Sequence, residues 1–193
     1  MVNTKVEQGF PKTVRLPNGK EVTLRLVNES DKQPILKFAR TLAEKDLLYL
    51  RTDITDPAVV DGWIEHIQSG NTVTILALVE GEVVGFASVH REPARWTRRV
   101  GDLRVNASPA YRGGGLGRAL VAQAFELGKA LGLAKLCGML TPEQSGARVA
   151  FERLGFVVEA KLSGYVEDRA GNAHDMLVMC YDLTGFHDHV DAR

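Results

Sequence analysis

The apolar positions of this chain change period along its length, and each change marks an element. Residues 13–16 and 21–27 alternate apolar and polar positions, with Val14 and Leu16 in the first run and Val22, Leu24 and Leu26 in the second. The Pro17-Asn18-Gly19-Lys20 stretch between them reads as the turn of a β-hairpin. Near Ser30 or Asp31, either of which suits an N-cap, the period lengthens, and Ile35, Leu36, Ala39 and Leu42 share a helical face. Asp56-Pro57 supplies an N-cap followed by a proline at the first helical position, and that second helix stops at Gly70. A second hairpin, 72–79 and 82–90, turns at Glu80-Gly81, and 99–107 is a further strand. From about Gly115 to Leu131 a long amphipathic helix carries Leu116, Leu120, Ala124, Leu127 and Leu131, with Gly132 as its C-terminal stop. A short buried strand at 135–140, a helix at 144–154 closed by Gly155, and strands at 156–166 and 174–183 around a 168–172 turn complete the pattern.

The resulting order, ββ-α-α-ββ-β-α-β-α-β-β, is a mixed α+β pattern around one central sheet. It forms a single domain over 13–183, with 1–12 expected as a flexible N-terminal extension and 184–193 as a C-terminal tail. At 193 residues, 45% hydrophobic and 25% charged, the chain has the means to bury a core without staples. Its 24 basic and 24 acidic side chains cancel, which argues against nucleic acid as a partner. No apolar run reaches the ~18 residues of a membrane span, and the polar first eleven residues lack the apolar core of a signal peptide. A cytoplasmic location follows as the expectation. Cys137 and Cys180 both lie in apolar runs without C-x-x-C spacing, and the expectation is two buried thiols and no disulfide.

The chemistry concentrates in residues 111–120, Tyr-Arg-Gly-Gly-Gly-Leu-Gly-Arg-Ala-Leu. A glycine turn that opens a helix leaves several backbone N–H groups aimed at one point, which suits a phosphate, and Arg112 and Arg118 bracket that point with positive charge. A Walker A loop needs Lys-Ser or Lys-Thr after its last glycine, and none is here. A dinucleotide fingerprint needs Gly or Ala where this loop places Arg118, counted from Gly113, or Leu120, counted from Gly115. The pattern that remains is R-x-x-G-x-G, met by Arg112, Gly115 and Gly117.

With that pattern the chain resembles the GNAT superfamily of acetyl-CoA-dependent N-acetyltransferases, over roughly residues 21–183. In that family the loop wraps the pyrophosphate of coenzyme A. The resemblance therefore implies that Arg112, Gly113, Gly114, Gly115, Leu116, Gly117 and Arg118 hold the cofactor. A second motif agrees: Gln144-x-x-Ala147-x-x-x-Phe151-x-x-x-Gly155-Phe156 looks like the family's fourth-helix pattern. There Gln144 stands where an Asn is usual, and Phe151 where many members carry a Tyr that protonates the departing thiolate. Phenylalanine has no proton to give, which leaves solvent or another tyrosine (Tyr111, Tyr165 or Tyr181) for that step. The resemblance also places the backbone of Val105 and Ala107 against the pantetheine arm. The fold it implies is a mostly antiparallel twisted sheet flanked by helices and splayed at the fourth and fifth core strands.

The implied reaction is direct acetyl transfer from acetyl-CoA to a primary amine, on a small molecule or a protein lysine, with a homodimer as a candidate assembly. Asp102 is a candidate base, on the strand where some members carry a catalytic carboxylate. Strand alternation puts Asp102, Arg104 and Asn106 on one face, so a surface Asp102–Arg104 pair is the competing reading. His90, at the end of the preceding strand, is the second candidate base, against an ordinary strand-end histidine. Arg148 lies within reach of an adenosine or on a solvated helix face. No metal is expected, since His187-Asp188-His189 near the chain end is a weak ligand pattern. The family's usual acceptor segments correspond to residues 44–56 and 164–174. Their Glu44, Asp46, Asp53, Asp56, Glu167 and Asp168 form either an acidic rim that draws a cationic amine or ordinary loop charge. Tyr49, Arg51 and Trp63 are candidates for shaping specificity. The alternative function is a catalytically silent acyl-CoA-binding or regulatory module.

Overall fold

A computed structural model describes residues 4–47, 50, 52–92, 96–168 and 170–185. Its strands are β1 (Lys12–Arg15), β2 (Glu21–Leu26), β3 (Thr72–Val79), β4 (Glu82–Arg91), β5 (Val100–Ala107), β6 (Lys135–Leu140), β7 (Val157–Glu167) and β8 (Ala173–Asp182). Its helices are α1 (Thr4–Glu7), α2 (Lys32–Ala39), α3 (Glu44–Leu47), α4 (Pro57–Gln68), α5 (Leu116–Ala130) and α6 (Ser145–Glu152), with single 3₁₀ turns at Glu29–Asp31 and Pro109–Tyr111. All eight strands join one sheet in the order β1-β2-β3-β4-β5-β6-β8-β7.

The sheet separates two apolar layers. On one face α5 sets Leu116, Leu120, Val121, Ala124 and Leu127 against Leu103, Leu136 and Met179. Leu116, Leu120, Ala124 and Leu127 are positions the helical period picks out, Val121 joins them and Leu131 is only partly buried; each fully buried leucine contributes about 1.5–3 kcal/mol. On the other face Ile35, Leu36, Phe38 and Val60 of α2 and α4 close over Leu76 and Phe86. Phe86 meets the rings of Phe38 and Trp63 edge-on, with centroids 6.1 and 5.0 Å apart. The stretch expected as a flexible N-terminal extension contributes to the first layer, because Val6 of α1 is buried against it beside α5 and Phe10 packs on its edge.

Among the described residues only β5 and β6 run parallel, and their pairing ends at Leu103↔Gly138. Beyond that point β5 keeps β4 as partner to Ala107, and β6 keeps β8 to Leu140. The two strands therefore part into a V, the splay implied by the resemblance. The last hairpin folds back so that β8, not β7, lies against β6. That insertion corrects the expectation for the cysteines. Cys137 and Cys180, 43 residues apart in sequence, become directly opposed neighbours in the β6–β8 register, and the structure joins them as a disulfide. Cross-strand adjacency of this kind is invisible to residue spacing.

Candidate active site

The glycine turn follows β5 through the Pro109–Tyr111 turn and enters α5 at Leu116. Gly113 and Gly115 have φ of 71° and 96°, in the left-handed region that a side chain rarely adopts. Gly115 is the N-cap, and no side chain caps the helix. The N–H groups of the first turn have no intrahelical partner by construction. Space is open beside Gly117 in that turn, where an added Cβ would meet nothing within 4 Å. Leu116 places its side chain fully in the core, so of the predicted cofactor residues it offers only its backbone. Arg112 and Arg118 are exposed at the two ends of the turn. The guanidinium of Arg112 stands 2.9 Å from the carboxylate of Asp46 on α3.

The V between β5 and β6 is a cleft. Leu50, Asp102, Arg104, Val105, Gln144 and Phe151 are among its lining residues. Val105 and Ala107 lie on the stretch of β5 that has left β6, so the β6-facing side of the backbone there has no strand partner in register. Asp102 and Arg104 share one face, as alternation predicts, and Arg104 Nη2 lies 3.2 Å from Asp102 Oδ2. The pair and the cleft position coexist. The two candidate bases come together: His90 and Asp102 are direct cross-strand partners in the β4–β5 register, a placement that sets Cβ atoms about 4.5–5.5 Å apart. Thr72 Oγ1 is 2.9 Å from His90 Nδ1 on the far side. One rung of the sheet thus reads Thr72, His90, Asp102, Cys137, Cys180. Two residues along, on the same face, Thr74 and Ser88 are joined by a 2.8 Å hydrogen bond and fully buried, with Trp63 Nε1 donating to Thr74 at 3.2 Å. Trp63 therefore serves as cover for the sheet and donor to this buried polar row.

Phe151 is 5% exposed and stacks against Gly138 of β6, where an added Cβ would come within 2.4 Å of its ring. Its centroid lies 4.8 Å from that of Phe156. It forms the apolar wall of the cleft. Tyr111, Tyr165 and Tyr181 are all absent from that lining: Tyr165 is exposed on the edge strand β7, and Tyr181 packs on Phe125 and Phe156. Gln144 lines the cleft while its Oε1 accepts from the N–H of Thr141 at 2.9 Å, which fixes the turn before α6. Arg148 pairs with Glu152 at 2.7 Å along the exposed side of α6, the solvated-face alternative.

The acidic rim is mostly structural. Asp46 engages Arg112, Asp53 accepts from Thr55, and Asp56 caps α4 through the N–H of Ala58 at 2.8 Å. Asp168 organises the β7–β8 turn: the side chain and backbone of Asn172, with His174 and the N–H of Ala170, hold its carboxyl well below the usual range. Loop carboxylates are consumed by local N–H donors before they face a substrate. Glu167 is exposed, and the side chain of Glu44, like Tyr49, Arg51 and His187-Asp188-His189, lies outside the described residues. Among the described residues no group of three or more His, Cys, Asp or Glu side chains is placed to hold a metal, and no helix is long and apolar enough to cross a membrane.

Sequence reasoning located Asp102 and His90 singly and missed their pairing, since no tight turn joins β4 to β5 to fix a register in the sequence. It counted Asp46 among rim acids and missed its hold on Arg112. It also missed the contact of residues 17–20 with the glycine turn, for which no local pattern gives a signal.

Solved structures of similar fold include yncA of Salmonella typhimurium with its cofactor acetyl-CoA, at TM-score 0.75 and 21% identity over 86% of this chain and 96% of that one. The ribosomal-protein-alanine N-acetyltransferase of Brucella melitensis aligns at TM-score 0.74 and 24% identity, over 82% and 98%. The spermidine N-acetyltransferase of Vibrio cholerae, in complex with CoA and spermine, aligns at 0.72 and 18%, over 84% and 96%. No curated protein sequence matches the chain. Residues 37–156 match the family model described as acetyltransferase (GNAT) family.

Proposed function

The chain belongs to the acetyltransferase (GNAT) family, and from that premise we propose that it is an N-acetyltransferase acting on a primary amine, on a small molecule or a protein lysine. The reading is carried by one juxtaposition: an uncapped helix start beside a parted pair of strands, with a carboxylate on the cleft wall. Acetyl-CoA is the co-substrate and supplies the acetyl group as a thioester. The residues present fit it. The first turn of α5 has unspent N–H donors and open space at Gly117, and Arg112 adds a cation at the turn. These groups bind the pyrophosphate, and the bared backbone of Val105 and Ala107 orients the arm along the cleft. Gln144 and Phe151 close its other wall. Holding donor and acceptor in register supplies up to ~7–11 kcal/mol of the barrier.

A lysine-like amine, with an ordinary pKa of about 10.4, must lose a proton before it attacks. Asp102 accepts that proton from the cleft, and His90, directly across the strand pair, is the neighbouring base. The acceptors named for the Vibrio and Brucella neighbours support an amine and differ widely in size, which leaves the acceptor to experiment.

Thiol release from acetyl-CoA, measured against polyamines, amino acids, aminoglycosides and lysine peptides, tests the proposal. Asp102→Asn lowers kcat at least tenfold at neutral pH and moves the pH–rate profile to higher pH. An unchanged profile removes Asp102 from the role. A specific observation favours a second reading, a silent acyl-CoA-binding module: Phe151 gives no proton, and no tyrosine appears among the described residues lining the cleft. Tight CoA binding with no thiol release on any acceptor selects that reading.

A further inference from the structure

The turn between β1 and β2 lies on the glycine turn, although residues 17–20 fall outside the 37–156 family match. Three contacts join them. A Cβ added at Gly114 would sit 2.3 Å from Asn18 Nδ2, and one at Gly115 would sit 2.5 Å from Cδ of Pro17. The ammonium of Lys20 stands 4.6 Å over the ring of Tyr111. The β1–β2 turn is itself tied down. Leu16 N–H donates to Lys20 O at 2.8 Å, Gly19 N–H donates to Leu16 O at 2.9 Å, and Asn18 Oδ1 accepts from Lys20 N–H at 3.1 Å. Leu16 is buried in the same apolar layer as Leu116. With its oxygen spent on its own turn, Asn18 presents its amide nitrogen to Gly114.

We infer that residues 17–20 are a positioning element for the coenzyme A site and that Asn18 is the residue that sets the glycine turn. The inference rests on the reading that this turn holds the pyrophosphate. Gly113, Gly114, Gly115 and Gly117 make a segment that loses more backbone freedom on ordering than any other composition would. Each residue left loose costs roughly 1–2 kcal/mol to fix. If that ordering occurred on binding, it would be drawn from cofactor affinity. A turn packed against Gly114 and Gly115 orders the segment in the folded protein beforehand. Two of its glycines are then required by the protein's own neighbouring turn, whereas Gly117 faces open space and answers only to the ligand.

The test compares Asn18→Ala, Gly114→Ala, the double variant and Gly117→Ala. The readouts are CoA affinity by calorimetry, thermal unfolding of the unliganded protein, amide exchange at 113–118, and steady-state kinetics. Asn18→Ala raises the CoA Kd and the KM for acetyl-CoA about tenfold, leaves kcat unchanged, and speeds amide exchange at 113–118 in the unliganded protein. Gly114→Ala lowers the melting temperature in the parent and lowers it less in the Asn18→Ala background, because the added methyl then has room. Gly117→Ala keeps the melting temperature and weakens CoA. If Gly117→Ala weakens CoA while Asn18→Ala leaves Kd and amide exchange unchanged, or if the Asn18 and Gly114 effects on melting add without coupling, the positioning role is overturned and the pyrophosphate site stands. If neither Gly117→Ala nor Asn18→Ala moves CoA affinity, the pyrophosphate reading falls and this inference with it.

Discussion

Helices α4 and α5 begin in opposite ways. At α4, Asp56 accepts from the N–H of Ala58, and Pro57 occupies the first helical position, where a missing N–H costs nothing. At α5, Gly115 caps with no side chain and the first-turn donors stay unspent. The 3₁₀ turn leading into α2 is closed further still. Asn28 accepts from Ser30, Asp31 accepts from the N–H of Asn28 at 2.8 Å, and Arg25 clasps Asp31 at 2.7 and 2.5 Å. A helix start closed by its own side chains stabilises the fold. One left open keeps its field and its donors for a ligand. The difference sets the capped start of α4 apart from the start of α5 proposed to bind the ligand.

Substitutions at these starts break or sharpen that contrast, and the largest effect falls at the most closed one. Asp31→Ala leaves Arg25 without its partner and opens the capping box. The expected loss is about 3 kcal/mol, the low end for a buried pair because Arg25 is partly exposed. For a chain of this size that is a drop of roughly 6–12 °C in Tm. Burial works to raise the Asp31 pKa, but the hydrogen bond from Arg25, that from the Asn28 N–H and the Arg25 charge outweigh it and leave the pKa lowered. A lowered carboxyl contributes stability that is present above its ordinary value near 4 and is lost as pH falls through the depressed one. Melting curves between neutral and acid pH converge for parent and variant at the acid end. A gap that persists undiminished contradicts the assignment.

Gly115→Ala comes next. A side chain at φ 96° costs about 1–2 kcal/mol, and its Cβ would press on Pro17. Tm falls by several degrees and the CoA Kd rises more than tenfold, since this start serves both fold and ligand. Asp56→Ala has the smallest effect, about 1 kcal/mol of stability, with CoA affinity unchanged by calorimetry. Weakened CoA binding in that variant would dissolve the contrast between the two starts.

Much of the fold was legible because its signals are local. Val22 and Leu24 alternate, Leu116 to Leu127 recur at helical spacing, and Asp56-Pro57 marks the start of α4. The glycine turn was legible for the same reason, since four glycines and two arginines within seven residues encode both the path of the chain and its charge. The acceptor side was not. Leu50, Asp102, Met139, Gln144 and Met176 line one cleft from five separate segments. His90 meets Asp102 through a strand register, and Asp46 reaches Arg112 across the chain. Of the six acids read as a substrate rim or loop charge, Asp53, Asp56 and Asp168 proved to be turn and cap residues, because short carboxylates next to free N–H groups satisfy those groups first.

By itself the sequence determined the strands, the longer helices, the glycine turn and their order, but neither α1 nor α3, since the former depend on periodicity and on residue types within a few positions. Tertiary structure alone decided that β8 inserts beside β6 and joins Cys137 to Cys180, at which residue β5 and β6 part, and that Asn18 rests on Gly114. Those outcomes depend on which strand edges find one another once the two apolar layers close. That choice is made by burial of the whole sheet, and no local stretch of the chain carries it.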